Sequence, residues 1–409
     1  MIPAIRVICF TILLSAFSFR ATAEDFTNAK PQAQYVYKTV GERKLTLDLD
    51  YPPDWKPCDK RPAVVFFFGG GWTYGTLSQF KPQAEYFAKR GLVCARADYR
   101  LRVKDSVQPD KCVEDAISAM RWVRSHAAQL GIDPNRIVAS GGSAGGHLAA
   151  CTFFAEGINA PDDNKSVSPK PNAMVLYNPG LNLIALRGGR SDDILAGMDD
   201  AVLKRISPSF HVCKETPPTL IIDGTEDWLN PQIREFVQKS KSLGAPVEAC
   251  FAEGQPHGFI NQPPWLGITT EEVDEFLCRI GYLGKEPKVP LPTKASIPDS
   301  APSKPHVAIK LDTKLLDAIA GHYEFAPDAV FPTGVKVLIW REGDQLVSQA
   351  WGENVLQGAF HIYPESETNF FLKVNGAQLT FIKNDKGQVT SVIHHYPGVP
   401  DCKGKKLKN

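Results

Sequence analysis

Three residues of this chain have the types and the order for nucleophilic chemistry: Ser143, Asp227 and His257. Ser143 lies in Ser140-Gly141-Gly142-Ser143-Ala144-Gly145-Gly146, a Gly-x-Ser-x-Gly pattern. It falls where a strand-like run, Ile137 to Ala139, gives way to a helix-like one, Ala144 to Ala155. A serine on so sharp a turn has a strained backbone, and small neighbours keep strand and helix from clashing. The turn exposes Oγ and puts the Ala144 amide at a helix N-terminus, where unpaired N–H groups can hold negative charge. Serine needs a base, and the base needs an orienting acid. Asp227 follows the seventh strand-like run within Asp223-Gly224-Thr225-Glu226-Asp227, and His257 follows the eighth within Gly254-Gln255-Pro256-His257-Gly258. Asp223 is the competing acid, but it ends its strand. His126 and His147 fall inside helix patterns and read as packed or surface histidines.

Attack on a carbonyl builds charge on its oxygen, and each donor aimed at that oxygen is worth about 3–4 kcal/mol. Upstream, Val64 to Phe68 is an apolar strand opening into Gly69-Gly70-Gly71-Trp72. Glycines let backbone N–H groups approach without side-chain obstruction, so Gly70, Gly71 and Ala144 are the candidate oxyanion donors. A phosphate loop would need a following Lys-Ser/Thr, which is absent. With no CxxC, HExxH or histidine cluster at ligand spacing, the sequence implies neither metal nor cofactor.

These residues need a scaffold that puts strand ends side by side. From Lys44 to Ile280, short apolar runs (Ala63–Phe68, Leu92–Ala97, Ile137–Ala139, Ala173–Tyr177, Thr219–Ile222, Val247–Phe251) alternate with stretches of helical periodicity (Phe80–Arg90, Val113–Leu130, Ala144–Ala155, Gln232–Leu243, Thr269–Ile280). Gly91, Gly131, Gly244 and Gly281 stand where helix C-termini need a left-handed residue. Alternation of this kind predicts a mostly parallel sheet of eight strands with helices on both faces. A leading antiparallel hairpin, Tyr35–Val40 with Lys44–Asp50, should lie at one edge.

The domain reading is a signal peptide over 1–23, a catalytic domain over 24–283, a Pro-rich linker over 284–309 and a small β-rich accessory domain over 310–409. The linker rests on Pro287, Pro290, Pro292, Pro298, Pro302 and Pro305 interleaved with Lys and Ser. Beyond it, a helical pattern (Leu311–Ala320) precedes six short strand-like runs between Lys336 and His394. Turns at Glu342-Gly343-Asp344, Asn375-Gly376 and Asp385-Lys386-Gly387 separate several of them, the mark of an antiparallel meander or small barrel.

Forty-six basic against 45 acidic residues give a net charge of +1 over 409 residues, so no electrostatic footprint points to nucleic acid. A small or neutral substrate fits better. Arg6, the apolar run Val7–Phe19 and Ala21-Thr22-Ala23 read as a secretory leader cleaved after Ala23. The run is too short to span a bilayer, which takes about 20 apolar residues. The expectation is therefore an exported protein, periplasmic or secreted, without stable membrane insertion; an uncleaved anchor is the alternative. Export permits disulfides. Cys58 and Cys112 lie outside the apolar strands and could pair, whereas Cys94, Cys151 and Cys250 read as buried thiols.

Five motifs resemble, in order and over about 220 residues, those of the hormone-sensitive-lipase-like esterases and the related acetylxylan and feruloyl esterase-type α/β hydrolases. They are Phe68-Gly69-Gly70-Gly71-Trp72, Ala97-Asp98-Tyr99-Arg100, Gly141-Gly142-Ser143-Ala144-Gly145-Gly146-His147, Gly224-Thr225-Glu226-Asp227 and Pro256-His257-Gly258-Phe259. The resemblance implies the α/β-hydrolase fold and a serine carboxylesterase with the triad and oxyanion loop already reached from chemistry. It also implies short acyl esters, such as O-acetyl or feruloyl groups on polysaccharide. One departure stands out: the group usually has His before the glycine triplet, where this chain has Phe68, and that His orients the loop. The insertion Leu181–Ser209 is brief, which suits an accessible pocket.

The C-terminal segment, through Ala320-Gly321-His322-Tyr323-Glu324, Trp340 to Leu346 and Phe360 to Phe371, is similar to the β domain appended to serine β-lactamase-like hydrolases. There it is an accessory. Ser78-Gln79-Phe80-Lys81 matches the Ser-x-x-Lys of those enzymes, but no Lys-Thr-Gly accompanies it. Two rival readings remain: a serine peptidase on the same fold, and a hydrolase-like module that binds carbohydrate or a partner chain. In the second, Trp340, Trp351, Phe370 and Phe371 would stack on sugars, against core packing as the default. Self-association through the C-terminal domain is a further role the sequence leaves open.

Overall fold

The computed structural model describes residues 32–187, 192–293, 308–327, 334–352, 355–356, 360–372, 377–395 and 401–407. The expected leader with cleavage after Ala23, residues 294–307 of the expected linker and the Asn375-Gly376 turn lie outside the described residues.

The first unit runs β1 (Gln32–Val40), β2 (Arg43–Asp50), β3 (Arg61–Phe67), α1 (Lys81–Lys89), β4 (Val93–Ala97), α2 (Arg102–Asp105), α3 (Pro109–Ser125), β5 (Ile132–Gly142), α4 (Ala144–Phe154) and β6 (Ala173–Tyr177). Two short helices follow, α5 (Asp192–Leu195) and α6 (Asp200–Arg205), then β7 (Thr219–Gly224), α7 (Asn230–Ser242), β8 (Val247–Ala252) and α8 (Trp265–Arg279). The strands form one eight-stranded sheet in the order β1-β2-β4-β3-β5-β6-β7-β8. The β1–β2 and β2–β4 pairs are antiparallel and the remaining pairs parallel. This is the expected α/β-hydrolase sheet with its hairpin at one edge.

Period-two alternation explains how strands with no polar face are used. In β3, Ala63, Val65 and Phe67 join the core on one side of the sheet, while Val64 and Phe66 join the core on the other. The same split runs through β6, with Met174 and Leu176 on one side and Ala173, Val175 and Tyr177 on the other. Side chains alternate along a strand, so a run that is apolar throughout must be covered twice. Helix α3 supplies Val113, Ala116, Ile117 and Met120 to one core, and α1 and α8 supply Phe87 and Phe276 to the other. Each such side chain contributes about 1.5–3 kcal/mol on burial. Boundaries differ from the sequence reading by a few residues: α3 ends at Ser125 instead of Leu130, and α8 begins at Trp265. Gly91, Gly131, Gly244 and Gly281 all have positive φ after helices or turns, as their placement predicted.

The second unit is a closed barrel. Helix α9 (Thr313–Ile319) is capped by Asp312, whose carboxylate accepts the Lys314 amide at 2.7 Å. Strands β9 (Gly321–Phe325), β10 (Val335–Glu342), β11 (Gln345–Gly352), β12 (Val355–Leu356), β13 (Phe360–Pro364), β14 (Asn369–Phe371), β15 (Gln378–Lys383), β16 (Val389–His395) and β17 (Cys402–Lys406) follow. The ring runs β10-β9-β17-β16-β15-β14-β13-β11 and closes through β10–β11, all antiparallel, with β12 added to β11. Sequence reading missed β9 and β17. The Lys-rich Cys402–Lys406 reads as a tail, yet Cys402 and Gly404 point inward while Lys403 and Lys405 face solvent. A Cβ at Gly404 would come within 2.5 Å of the Phe325 ring, so only glycine lets β17 seal the barrel there. Phe370 and Phe381 meet edge to face at 5.3 Å in the interior. Phe370 and Phe371 are buried, and a sugar platform on either is ruled out by their packing. The Trp351 side chain lies outside the described residues.

One expectation is corrected. Cys58 and Cys112 do not pair: both are free thiols, Cys58 exposed and Cys112 fully buried in α3, with its Sγ donating to the Arg100 carbonyl oxygen at 3.1 Å. The α3 periodicity turns Cys112 into the core, where no loop cysteine can reach it. Among the described residues no helix is long and apolar enough to cross a membrane.

Candidate active site

The nucleophile turn is built as its sequence requires. β5 ends at Gly142 and α4 begins at Ala144, leaving Ser143 alone between them at φ 55°, ψ −118°. Such a conformation costs a non-glycine residue about 1–3 kcal/mol and persists only where the surroundings impose it. Here the Ser143 amide donates to the Tyr177 carbonyl oxygen at 2.8 Å, and the Ser143 carbonyl accepts the His147 amide at 3.0 Å. A Cβ on Gly145 would sit 2.0 Å from the Phe67 carbonyl oxygen, so the helix start presses on the neighbouring strand and admits no side chain.

The structure brings together the three residues separated by 84 and 30 positions in the chain. His257 Nε2 lies 2.8 Å from Ser143 Oγ, and His257 Nδ1 lies 2.7 Å from Asp227 Oδ2. Asp227 is almost fully buried. Its Oδ1 accepts the Leu229 amide at 2.8 Å, and its Oδ2 also accepts from Asn178 Nδ2 at 2.9 Å. Burial works to raise its pKa, and the charge and hydrogen bond of His257 outweigh that, so the carboxyl stays below the ordinary carboxylate range. The two loops that carry Asp227 and His257 are stitched together: Glu226 donates its amide to the Gln255 carbonyl, and a Cβ at Gly224 would meet that same oxygen at 2.0 Å. The Trp228 ring stands 5.6 Å from the His257 ring.

The glycine triplet leaves β3 directly beside Ser143, since a Cβ on Gly69 would lie 3.4 Å from the Ser143 Cβ. Gly70 and Gly71 have φ of 119° and 59°, and Trp72 continues the left-handed run at 57°. Among the described residues no hydrogen bond occupies the amides of Gly70, Gly71 and Ala144. The Gly69 amide, by contrast, donates to Gln79 Oε1 at 2.6 Å. Gln79 Nε2 donates in turn to Asn261 Oδ1 at 3.3 Å, and Asn261 Nδ2 to the Gly258 carbonyl at 3.0 Å. A chain of amides thus joins the glycine loop to the histidine loop. Phe68, where the resembling group has His, stacks on Tyr99 at 4.2 Å, and the Tyr99 hydroxyl donates to the Phe68 carbonyl at 2.7 Å.

Trp72 is anchored from the other side. Its Nε1 donates to His147 Nδ1 at 3.1 Å, which fixes the proton of His147 on Nε2, 2.6 Å from the Ile206 carbonyl. Burial lowers His147 from 6.5 to about 4, so it is a neutral strut. His126 stacks on Trp122 and takes no part in the site. Ser78 and Lys81 form no site either, because Ser78 bonds Thr76 and Lys81 pairs with Glu85.

Asp223 does not touch His257. It is fully buried, accepting from Asn178 Nδ2 at 2.9 Å and from Asn230 Nδ2 at 2.7 Å. Burial and the adjacent charge of Asp227 raise it from 3.8 to about 7. Sequence reading missed Gln79, Asn178 and Asn261. Only Asn178 carried a signal, a polar residue directly after an apolar strand; its φ of 44° is visible only in the structure.

The sheet order, the elbow and the Ser143–His257–Asp227 line define an α/β hydrolase. Comparison with known proteins agrees. The family profile BD-FAE matches residues 47–241. Carboxylesterase NlhH of Mycobacterium tuberculosis is 37% identical over 252 residues, covering 56% of this chain and 77% of that protein. A probable isoprenylcysteine alpha-carbonyl methylesterase of Arabidopsis thaliana is 30% identical over 244 residues, 54% of this chain, which spans 50% of that relative's length. Among solved structures, esterase 2 of Thermogutta terrifontis phosphonylated by sarin is 42% identical with a TM-score of 0.60, covering 62% of this chain and 97% of that one. The same esterase with propionate bound is 43% identical, with a TM-score of 0.59 over 63% of this chain and 97% of that one. The chain belongs to the carboxylesterase family of α/β hydrolases, whose members act on esters.

Proposed function

We propose that this protein is an exported serine esterase that hydrolyses short-chain acyl esters through an acyl-enzyme. The observation that carries the reading is the continuous hydrogen-bonded line from Ser143 Oγ through His257 to Asp227, at 2.8 and 2.7 Å. Ser143 Oγ attacks the ester carbonyl as His257 Nε2 takes its proton. Asp227 holds Nδ1–H and stabilises the imidazolium. The amides of Gly70, Gly71 and Ala144 receive the developing oxyanion. His257 returns the proton to the leaving alcohol, and water then repeats the sequence to free the acid.

Two features support a short acyl group. The Leu181–Ser209 insertion is tied down, with Leu181, Leu183, Leu203 and Ile206 in the core and the Leu183 amide on Ser207 Oγ at 2.9 Å. The Thermogutta esterase, similar over nearly its whole length, has been solved with propionate bound. The leader-like N-terminus and the resemblance to acetylxylan and feruloyl esterases favour acyl groups on extracellular polysaccharide as the physiological substrate. No observation at the site favours the peptidase.

The test is hydrolysis of p-nitrophenyl acetate, butyrate and decanoate by the mature protein beside Ser143→Ala. Expected is turnover that falls from butyrate to decanoate and drops by about 10⁶ in the variant. Acetate release from acetylated xylan is the next assay. Turnover equal in both proteins would overturn the reading.

A further inference from the structure

Asn178 is the least expected residue near the triad. It is buried, stands at φ 44° and so has a strained backbone, and directs one amide nitrogen at two carboxyl groups, Asp223 Oδ1 and Asp227 Oδ2, both at 2.9 Å. Strain at a buried non-glycine residue is retained when the surroundings demand its side chain. The two acids that share this amide differ in their other partners. Asp227 faces His257 and the Leu229 amide. Asp223 meets only neutral donors: Asn178 from the end of β6, and Asn230 from the first turn of α7. The Asn230 amide is oriented by Arg234, whose Nε donates to Asn230 Oδ1 at 2.6 Å. On β8 the residue paired with Asp223 is the apolar Phe251, and the Arg234 guanidinium rests on that ring at 4.2 Å, turned to Asn230 instead of to Asp223. Among the described residues no cation forms an ion pair with Asp223. Two carboxylates this close, with one imidazole reaching only Asp227 and with solvent excluded, cannot both ionise cheaply.

We propose that Asp223 is a positioning residue of this site: it retains a proton, donates a hydrogen bond to Asp227, and so leaves the buried pair with a single negative charge directed at His257. The proposal rests on the triad reading above. Its geometry is a carboxyl clamped at both oxygens by side-chain amides, one of which, Asn178 Nδ2, also reaches Asp227 Oδ2 at 2.9 Å and so brings the two carboxyls side by side. Asp227 then accepts from three sides, His257, Asn178 and Asp223, besides the Leu229 amide. A carboxylate so surrounded keeps one orientation and holds the imidazole in the Nδ1–H tautomer the mechanism needs.

The groups that face Asp223 are Asp227 on its own loop, Asn178, Asn230 with Arg234 behind it, and His257 beyond Asp227. The folded chain holds the Asp223 proton more tightly than the unfolded chain, because burial and Asp227 raise it from 3.8 to about 7. Stability from this residue is therefore full at low pH and is lost as the pH climbs to about 7. Asparagine has the same shape, can donate to Asp227, and carries no such dependence.

The experiment compares wild type, Asp223→Asn and Asp223→Ala by thermal melting between about pH 5 and pH 8.5 and by kcat and KM for p-nitrophenyl butyrate over the same range. Expected is that the Tm of D223N gains on the wild type by several degrees as the pH rises. D223A is expected to lose about tenfold or more in kcat with a smaller change in KM, and D223N to recover most of that loss. Parallel melting curves for D223N and wild type across the range would overturn the retained proton. Equal kcat for D223A and D223N would reduce Asp223 to a space-filler and overturn the positioning role. Melting requires no turnover, so failure of the esterase reading, which Ser143→Ala decides, is distinguishable from failure of this one.

Discussion

The two sheets of this chain bury their polar groups very differently. In the barrel, Ser391 is the one buried polar residue among those described; every other buried polar or charged side chain falls between Asp50 and Thr270, in the hydrolase unit. The non-glycine residues with positive φ follow the same division. Trp72, Ser106, Ser143 and Asn178 all lie in the hydrolase unit, and three of the four stand at the candidate active site. The barrel is a closed ring whose interior is filled by Tyr323, Phe325, Phe370, Phe381 and aliphatic neighbours. The hydrolase sheet is open and keeps desolvated carboxylates, amides and strained turns at its strand ends. Strain and buried polarity cost stability, and they are concentrated around the Ser143, His257 and Asp227 of the candidate site. The difference separates a unit that gathers strain and buried polarity at its strand ends from one whose interior is almost wholly apolar among the described residues.

The largest effect that could break this division is at His257. His257→Ala should lower kcat for p-nitrophenyl butyrate by about 10⁴–10⁶ while the melting curve moves less than for a core truncation, because the ring sits in a loop outside the hydrophobic cores. A large fall in stability with modest loss of turnover would reverse the assignment. The barrel should behave in the opposite way. Phe381→Ala removes a fully buried ring and should cost about 3–5 kcal/mol by chemical denaturation, with kcat and KM unchanged below the melting range. Loss of kcat in a protein still folded would show that the barrel shapes the site.

A smaller effect sharpens the comparison inside the hydrolase unit. Gln79 bonds the glycine loop and, through Asn261, the histidine loop, in a chain whose Phe68 stands where relatives by resemblance have an orienting His. Gln79→Ala should lower kcat by about 10–100-fold, with KM within about threefold, since a loosened oxyanion loop weakens transition-state contacts selectively. Equal changes in kcat and KM would place Gln79 in substrate binding instead.

How much was legible beforehand depended on whether local pattern or distant packing decided the outcome. Strands β3 to β8 and their helices were readable because apolar runs and 3.6-residue periodicity are written into short windows, bounded by glycines such as Gly244 that only certain backbones need. Ser143, Asp227 and His257 were readable because a nucleophile turn and the loops after strands leave marks in residue type and order. β17 was not, because alternating Lys with Cys402 and Gly404 carries almost no hydrophobic signal, and its place in the barrel comes from β9 and β16 on either side. Nor could a disulfide between Cys58 and Cys112 be judged, since pairing depends on where α3 turns its cysteine.

The sequence by itself determined the alternation of elements, the nucleophile turn and the identity of the triad candidates, all properties of neighbouring residues. Tertiary structure alone decided how each of the two neighbouring acids is enclosed. Asp223 and Asp227 are four residues apart and equally acidic as peptides, and only the packing of β6, α7 and β8 around them directs one to His257 and encloses the other between Asn178 and Asn230. The same packing decided that Gln79 and Asn261, 182 residues apart, join the two loops that Ser143 must work between. Such contacts are non-local, and their energies depend on desolvation that no window of sequence contains.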